Sequence, residues 1–145
     1  MFRTVLAVTA MAVGITAVVA QSDPIAARKD LMKQMGAQTK AGSQLVKGEV
    51  PFDQAKATKV FDTYIEVSEK MPALFPDSSK TGGDTTASPK IWEDKKGFDA
   101  AFTKMKTEAT AAKATVKDLD SFKGAFSGLT KNCGSCHETY RQKKS

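Results

Sequence analysis

Cysteine and histidine are almost missing from this 145-residue chain, which has two of the first and one of the second. Two thiols exclude a fold stapled by several disulfides, and at this length a chain buries a real core without them. Period-two alternation is absent and β-branched residues do not cluster, so no strand is expected. After the first twenty residues there is no further long apolar run, which leaves nothing to span a membrane. Charge of one sign is not in large excess either. Twenty-two basic residues face sixteen acidic ones for a net +6, and the lysines are scattered at one or two per helical turn. That spacing describes a solvated helical surface and not a nucleic-acid footprint.

The start of the chain, "MFRTVLAVTAMAVGITAVVAQS", has the parts of a secretory signal. Arg3 supplies a positive end, Val5 to Val19 an apolar stretch, and Val18-Val19-Ala20 a small-residue cleavage site. The expected organisation is a cleaved signal over residues 1–20 and one domain over 21–145, carrying a net +5 once Arg3 has left. Export changes how the thiols are read, because an oxidising compartment favours their pairing. A C-x-x-C disulfide, however, closes so small a loop that it constrains the unfolded chain little. These cysteines are poor staples and point to chemistry.

Four segments carry helical periodicity. Asp23-Pro24 is a cap followed by proline at the first helical position. The stripe behind it reads Arg28, Leu31/Met32, Met35, Gln38, Gly42, Leu45 and ends near Gly48. A second helix starts around Asp53 and presents Ala57, Val60/Phe61, Tyr64, Val67 and Met71. A loop rich in Pro, Gly, Ser and Thr follows, and Ser88-Pro89 repeats the cap-and-proline device to open a third helix. There Phe98, Phe102, Met105, Ala109, Ala112 and Val116 step by four and three. The fourth helix, from near Asp120, steps likewise through Phe122, Phe126, Leu129, Cys133, Cys136 and Tyr140. Seven-residue repeats on four such helices predict an all-α fold, a left-handed antiparallel up-down-up-down four-helix bundle.

Both cysteines and the histidine fall within "NCGSCHETYRQKK", on the inner seam of the fourth helix. The expectation is that Cys133, Cys136 and His137 all point into the bundle. Three chemistries use such a cluster. Zinc wants four ligands, or three and a water, and a run inside one helix closes a tetrahedron with difficulty when no distant Cys or His can help. A redox dithiol belongs at a helix N-terminus, where the dipole favours thiolate; here the pair lies in the C-terminal half. C-x-x-C-H attaches a c-type haem, with both sulfurs bonding the macrocycle and the adjacent imidazole ligating iron. A bundle core suits a flat apolar cofactor. One covalent haem c is therefore expected, with His137 as proximal ligand.

Topology limits what faces His137. In an up-down-up-down bundle the start of the first helix lies beside the end of the fourth. Met32 is roughly 12 Å along the first helix at 1.5 Å per residue, level with His137, and is the first candidate for distal ligand. Met35, about 4.5 Å further on, is the second. Met71 is level but beside a loop, and Met105, roughly 24 Å from the same end, is too deep. A thioether opposite imidazole saturates iron, favours low spin and raises the reduction potential.

The segments "ARKDLMKQMG", "KGEVPFD", "LFPDSSK", "SPKIW" and "CGSCHETYRQK", in this order, resemble the class II cytochromes c, the cytochrome c′ family, and more closely its low-spin, methionine-ligated branch. High-spin members usually carry a non-ligating apolar residue where Met32 stands. The resemblance implies arginines at Arg28 and Arg141 near the haem, with propionates or the proximal pocket as their targets, and pairing of two copies through the first two helices. Trp92 and Tyr140 are expected as core aromatics near the haem. Lys131, Lys143 and Lys144 surround the haem-bearing segment as a solvated helix end.

These observations lead to an expected periplasmic electron carrier that exchanges electrons with other redox proteins of that compartment. It is not expected to be an enzyme, because no acid–base pair or nucleophile stands beside the iron. The alternative is a five-coordinate, high-spin protein that binds or sequesters NO or CO. Export is checked first: the intact mass of the secreted protein should correspond to a chain beginning at Gln21 with one haem added, and a mass retaining residues 1–20 would contradict cleavage.

Overall fold

Asp23 starts the first helix, α1 (Pro24–Lys47), by accepting the Ile25 N–H at 2.9 Å, and Pro24 fills a position whose N–H has no helical acceptor. The helix stops at Gly48, which takes the left-handed conformation at φ 70°. The Gly48 and Glu49 amides then return to the carbonyls of Leu45 and Gln44, so the glycine lets the last turn close on itself. This computed structural model describes residues 23–143. The signal segment, its cleavage after Ala20 and Lys144 lie outside the described residues.

Asp53 caps α2 (Gln54–Lys70) through the Lys56 amide at 2.7 Å. Two short 3-10 turns follow, Met71–Leu74 and Asp77–Ser79. The next segment departs from expectation. Ser88 does accept the Lys90 amide, but α3 (Lys90–Glu93) lasts only one turn. Asp94 breaks it at φ −127°, ψ 56° and caps a new helix, α4 (Lys95–Thr115), by accepting the Gly97 amide at 3.1 Å. A second cap inside a continuous apolar rhythm thus splits the predicted third helix in two. The last helix, α5 (Leu119–Tyr140), opens one residue before its expected start, on a reciprocal capping box between Asp118 and Ser121.

The four long helices form a square in which α1 packs on α2 and α5, and α4 on the same two. The predicted seams are its interior: Leu31, Met35, Leu45, Val60, Phe61, Tyr64, Val67, Phe98, Phe102, Met105, Phe122, Phe126 and Leu129 are all buried. Aromatic rings gather at the two ends. Phe61, Phe122 and Phe126 plug one end, with centroids 5.6 and 5.4 Å apart, and Gln54 ties that end to the Val116 carbonyl at 2.9 Å. Phe75, Phe98 and Phe102 line the other, where a cavity opens. Tyr64 spans the middle. The Thr39 hydroxyl donates to the Met35 carbonyl at 2.8 Å, so the Tyr64 phenol must donate to Thr39 across their 2.7 Å contact; burial pushes that phenol up to about 12.

On the surface the lysines answer to neighbouring carboxylates, as in Lys106–Glu69 at 2.8 Å and Lys113–Asp62 at 2.6 Å between α4 and α2. Such exposed pairs add little stability each. Among the described residues no helix is long and apolar enough to cross a membrane.

Close approach of α1 to α5 depends on Gly42. A methyl group there would overlap the Phe126 ring, coming within 2.8 Å of its Cζ, whereas at Gly36 nothing lies within 4 Å. Gly42→Ala is expected to lower stability by about 1–3 kcal/mol through overpacking. Gly36→Ala should raise it by roughly 0.5–1 kcal/mol through helix propensity. The urea midpoints of the two variants should move in opposite directions.

Candidate haem-binding site

At the open end lies a cavity of about 480 Å³. Its walls are chiefly apolar: Phe75, Ile91, Phe98 and Phe102, with the thioethers of Met32 and Met71. α5 contributes Cys136, His137 and Tyr140, and α1 contributes Arg28, Lys29 and Met32. One space therefore brings together an imidazole, a thiol and a thioether from residues near the two ends of the described chain.

The three motif residues are not equally enclosed. Cys133 is half-buried and packs against the core, Cys136 is half-buried at the cavity, and His137 is exposed. The correction has a geometric cause. On the helix Cys136 and His137 flank Cys133, about 60° to one side and about 40° to the other; both line the cavity, and His137, on the last turn of α5, stays exposed. The two cysteines are not joined to each other, and burial raises each thiol pKa, with Cys133 adding to the effect at Cys136. Neutral, sequestered thiols are the reverse of what a redox dithiol needs. His137 is exposed as a residue, yet desolvation by the chain around its ring still lowers its pKa, and Arg141 lowers it further. Among the described residues no group of three or more His, Cys, Asp and Glu side chains could hold a metal ion. The donors present fit instead the attachment of a flat apolar cofactor: two thiols on one helix, an imidazole beside them and soft sulfur across an apolar space.

The methionines sort by depth. Met32 is half-buried and lines the cavity; Met35, a turn further along α1, is packed in the core, as is Met105. Met71 also reaches the cavity, from the 3-10 turn that Pro72 forces after α2, and is almost completely buried.

Arg28 is 4% exposed. Its guanidinium donates to the carbonyls of Leu74 and Ser79 at 3.2 Å each, to the Ser79 hydroxyl at 3.0 Å and to the Thr85 hydroxyl at 2.7 Å. It also lies 4.6 Å from the Phe75 ring centroid. Burial lowers its pKa and Asp23 raises it. One rigid fork thus fastens the 74–85 loop to α1 and builds a wall of the cavity. Arg141 is exposed, follows the last turn of α5 and bridges to Ala87 in antiparallel fashion, while Gln142 donates to the Thr86 carbonyl at 2.8 Å. Lys131 and Lys143 are exposed.

Two features of this end escaped the sequence reading. The strand-like segment 85–87 lines the cavity, held by Arg28 and by the tail of α5. Tyr140, an expected core aromatic, packs edge-on to Phe98 at 5.3 Å and also donates its hydroxyl to Asp94 at 2.9 Å. That bond, and then the Gly97 amide, hold the Asp94 carboxyl below its ordinary pKa. Trp92 donates its indole N–H to the Phe75 carbonyl at 3.0 Å. The Asp94–Gly97 cap was signalled only by an Asp placed three residues before a glycine.

Comparison with known proteins agrees with this arrangement. The family model described as "Cytochrome C'" matches residues 23–141. A protein named cytochrome c′ from Rhodopseudomonas palustris is 53% identical over 127 residues, 88% of this chain and 87% of the relative. A cytochrome c-556 from the same organism is 34% identical over 148 residues, 99% of both chains. The solved structure of cytochrome c′ from R. palustris superposes with a TM-score of 0.83 at 52% identity, covering 86% of this chain and 100% of that one.

The Arg28 clamp is testable on its own. Arg28→Met leaves four oxygens of the 74–85 loop without their donor and should cost about 2–3 kcal/mol, read as a lower urea midpoint. Amide exchange should quicken through residues 74–85.

Proposed function

The chain belongs to the cytochrome c′ family, and on that premise we propose that it is a periplasmic carrier of single electrons built around one covalent haem c. Cys133 and Cys136 would hold the group through thioether bonds, with His137 as its proximal ligand and Met32 as its distal one. When bound, the group supplies a one-electron ferric/ferrous couple. The chain supplies everything else. Phe75, Phe98 and Phe102 keep water from the cavity and lower its dielectric. Arg28 holds a positive charge at the wall, with all four of its hydrogen bonds going to neutral oxygens. A fixed cation there favours arrival of an electron and offers a counter-charge to haem carboxylates, the role that the resemblance gives it. Arg141 stands at the mouth beside His137 for the same purpose.

The observation that carries this reading is Met32 on the wall of the cavity that Cys136 and His137 also line, with Met35 withdrawn into the core. Imidazole and thioether together form a saturating, low-spin pair that raises the potential. A ligand set that stays filled in both oxidation states changes little in geometry on electron transfer. With both thiols and the imidazole committed to the haem, the protein is read as a carrier and not a catalyst.

One observation favours a second reading. The relative that shares 53% of its residues bears the name cytochrome c′, while the one named cytochrome c-556 shares 34%. If Met32 left its position unligated, the same apolar wall would offer NO or CO an open distal face.

Spectra of the exported protein separate the two. The carrier should show low-spin bands, with the far-red charge-transfer band of a sulfur–iron bond in the ferric form. Met32→Leu should turn that spectrum high-spin and let the ferrous protein bind CO quickly, while Met35→Leu should leave it unchanged. A parent protein that is high-spin and takes up CO at once would establish the gas-binding reading instead.

A further inference from the structure

The turn that carries His137 is poorly supported by its own sequence. Residues 132–139, "NCGSCHET", are nearly all weak helix formers, and Gly134 has nothing within 4 Å of where a side chain would begin. His137, Glu138 and Thr139 are exposed, so packing does not hold them. At the helix end the His137 carbonyl accepts only the Arg141 amide, at 3.2 Å, where the chain leaves the helix. Tyr140 is the next residue with a side chain turned toward the protein, and it is fixed three ways. Its ring meets Phe98 edge-on, its carbonyl accepts the Ser88 amide at 3.0 Å, and its hydroxyl donates to Asp94 Oδ2 at 2.9 Å.

Asp94 is itself immobilised, because its other oxygen caps α4 through the Gly97 amide. One carboxylate therefore joins the first turn of α4 to the last turn of α5, across 46 residues of sequence. The space for this junction is made by a missing side chain. A Cβ on Gly97 would stand 2.6 Å from the Tyr140 hydroxyl and would overlap the Asp94 carboxylate.

We propose that Tyr140 and Asp94 form a latch that positions the last turn of α5 and so sets the orientation of the His137 imidazole. Neither residue touches the reacting atoms as a ligand; both act through His137. The proposal rests on the reading of His137 as proximal ligand but is independent of what stands on the distal side.

Two substitutions isolate the latch. Tyr140→Phe keeps the ring against Phe98 and removes only the hydroxyl. Asp94→Ser keeps an effective helix cap and removes only the arm that reaches Tyr140. In the haem-loaded protein, each should speed amide exchange of residues 137–142 by about tenfold, the worth of one hydrogen bond to a charged acceptor. The double variant should go no further than either single one, since both remove the same bond. The hyperfine-shifted proton signals of the His137 ring in the oxidised protein should move alike in both variants, which loss of packing elsewhere would not produce. Unchanged exchange in Tyr140→Phe, effects that multiply in the double variant, or ring signals that stay in place would each overturn the latch. Absence of a sulfur–iron band in the parent protein would instead count against Met32 alone, because amide exchange at α5 does not depend on the sixth ligand.

Discussion

The open end of the bundle hangs on the guanidinium of Arg28. A cation buried to this degree must find oxygen for its donors, and here it finds four on one loop. That loop crosses from α2 to α3; Phe75 packs it on Phe98 and Lys29 binds its Asp84, but the buried ties to α1 are those of Arg28. Once fastened, it brings Phe75 under the guanidinium and places Thr85 to Ala87 along the cavity. The tail after α5 then has an edge to meet, and Arg141 and Gln142 pair with Ala87 and Thr86. A single long polar side chain thus organises the wall, the strap and the tail that surround the haem-binding cavity.

The two ends of the molecule solve the same packing problem differently. At the closed end, stacked and tilted phenylalanines fill the square, and the helices approach closely enough that Gly42 is needed against Phe126. At the open end the helices enclose space that their own side chains do not fill, and polar junctions substitute for packing. Arg28, the Asp94–Tyr140 bond and the Trp92 bond to the Phe75 carbonyl all lie there. The division follows from what each end holds: one a finished core, the other a chamber for a cofactor.

Much of this was legible in advance. The steps of three and four from Phe98 to Val116 and from Phe122 to Tyr140 identified the interior faces, because only one stripe of each helix was apolar. The C-x-x-C-H run identified the cofactor, and bundle topology with helix rise pointed to Met32, which lines the cavity with His137. What escaped reading was partly local, as at the Asp94 cap, and partly contacts distant in sequence. Ser88-Pro89 looked like the start of one helix because its pattern is a good start; the break came from Asp94, whose second oxygen is used by Tyr140 far along the chain. The spacing of four from Cys133 turns His137 toward the cavity, which it lines, but its place on the last turn of α5 leaves it exposed. Arg28 read as a haem partner from resemblance, while its bonds to neutral loop oxygens had no signature in composition.

The cavity also dictates an order of assembly. Met32 belongs to the first helix made and His137 to the final turn of the last, so no part of the chain shorter than nearly the whole can enclose the chamber. Contacts this distant carry the largest loop-closure cost and are expected to form after the local helices. Until the last turns of α5 meet α1 and the 85–87 segment, the two thiols are open to the reagents that must reach them. Late closure of this end would leave time for a prosthetic group to be fitted.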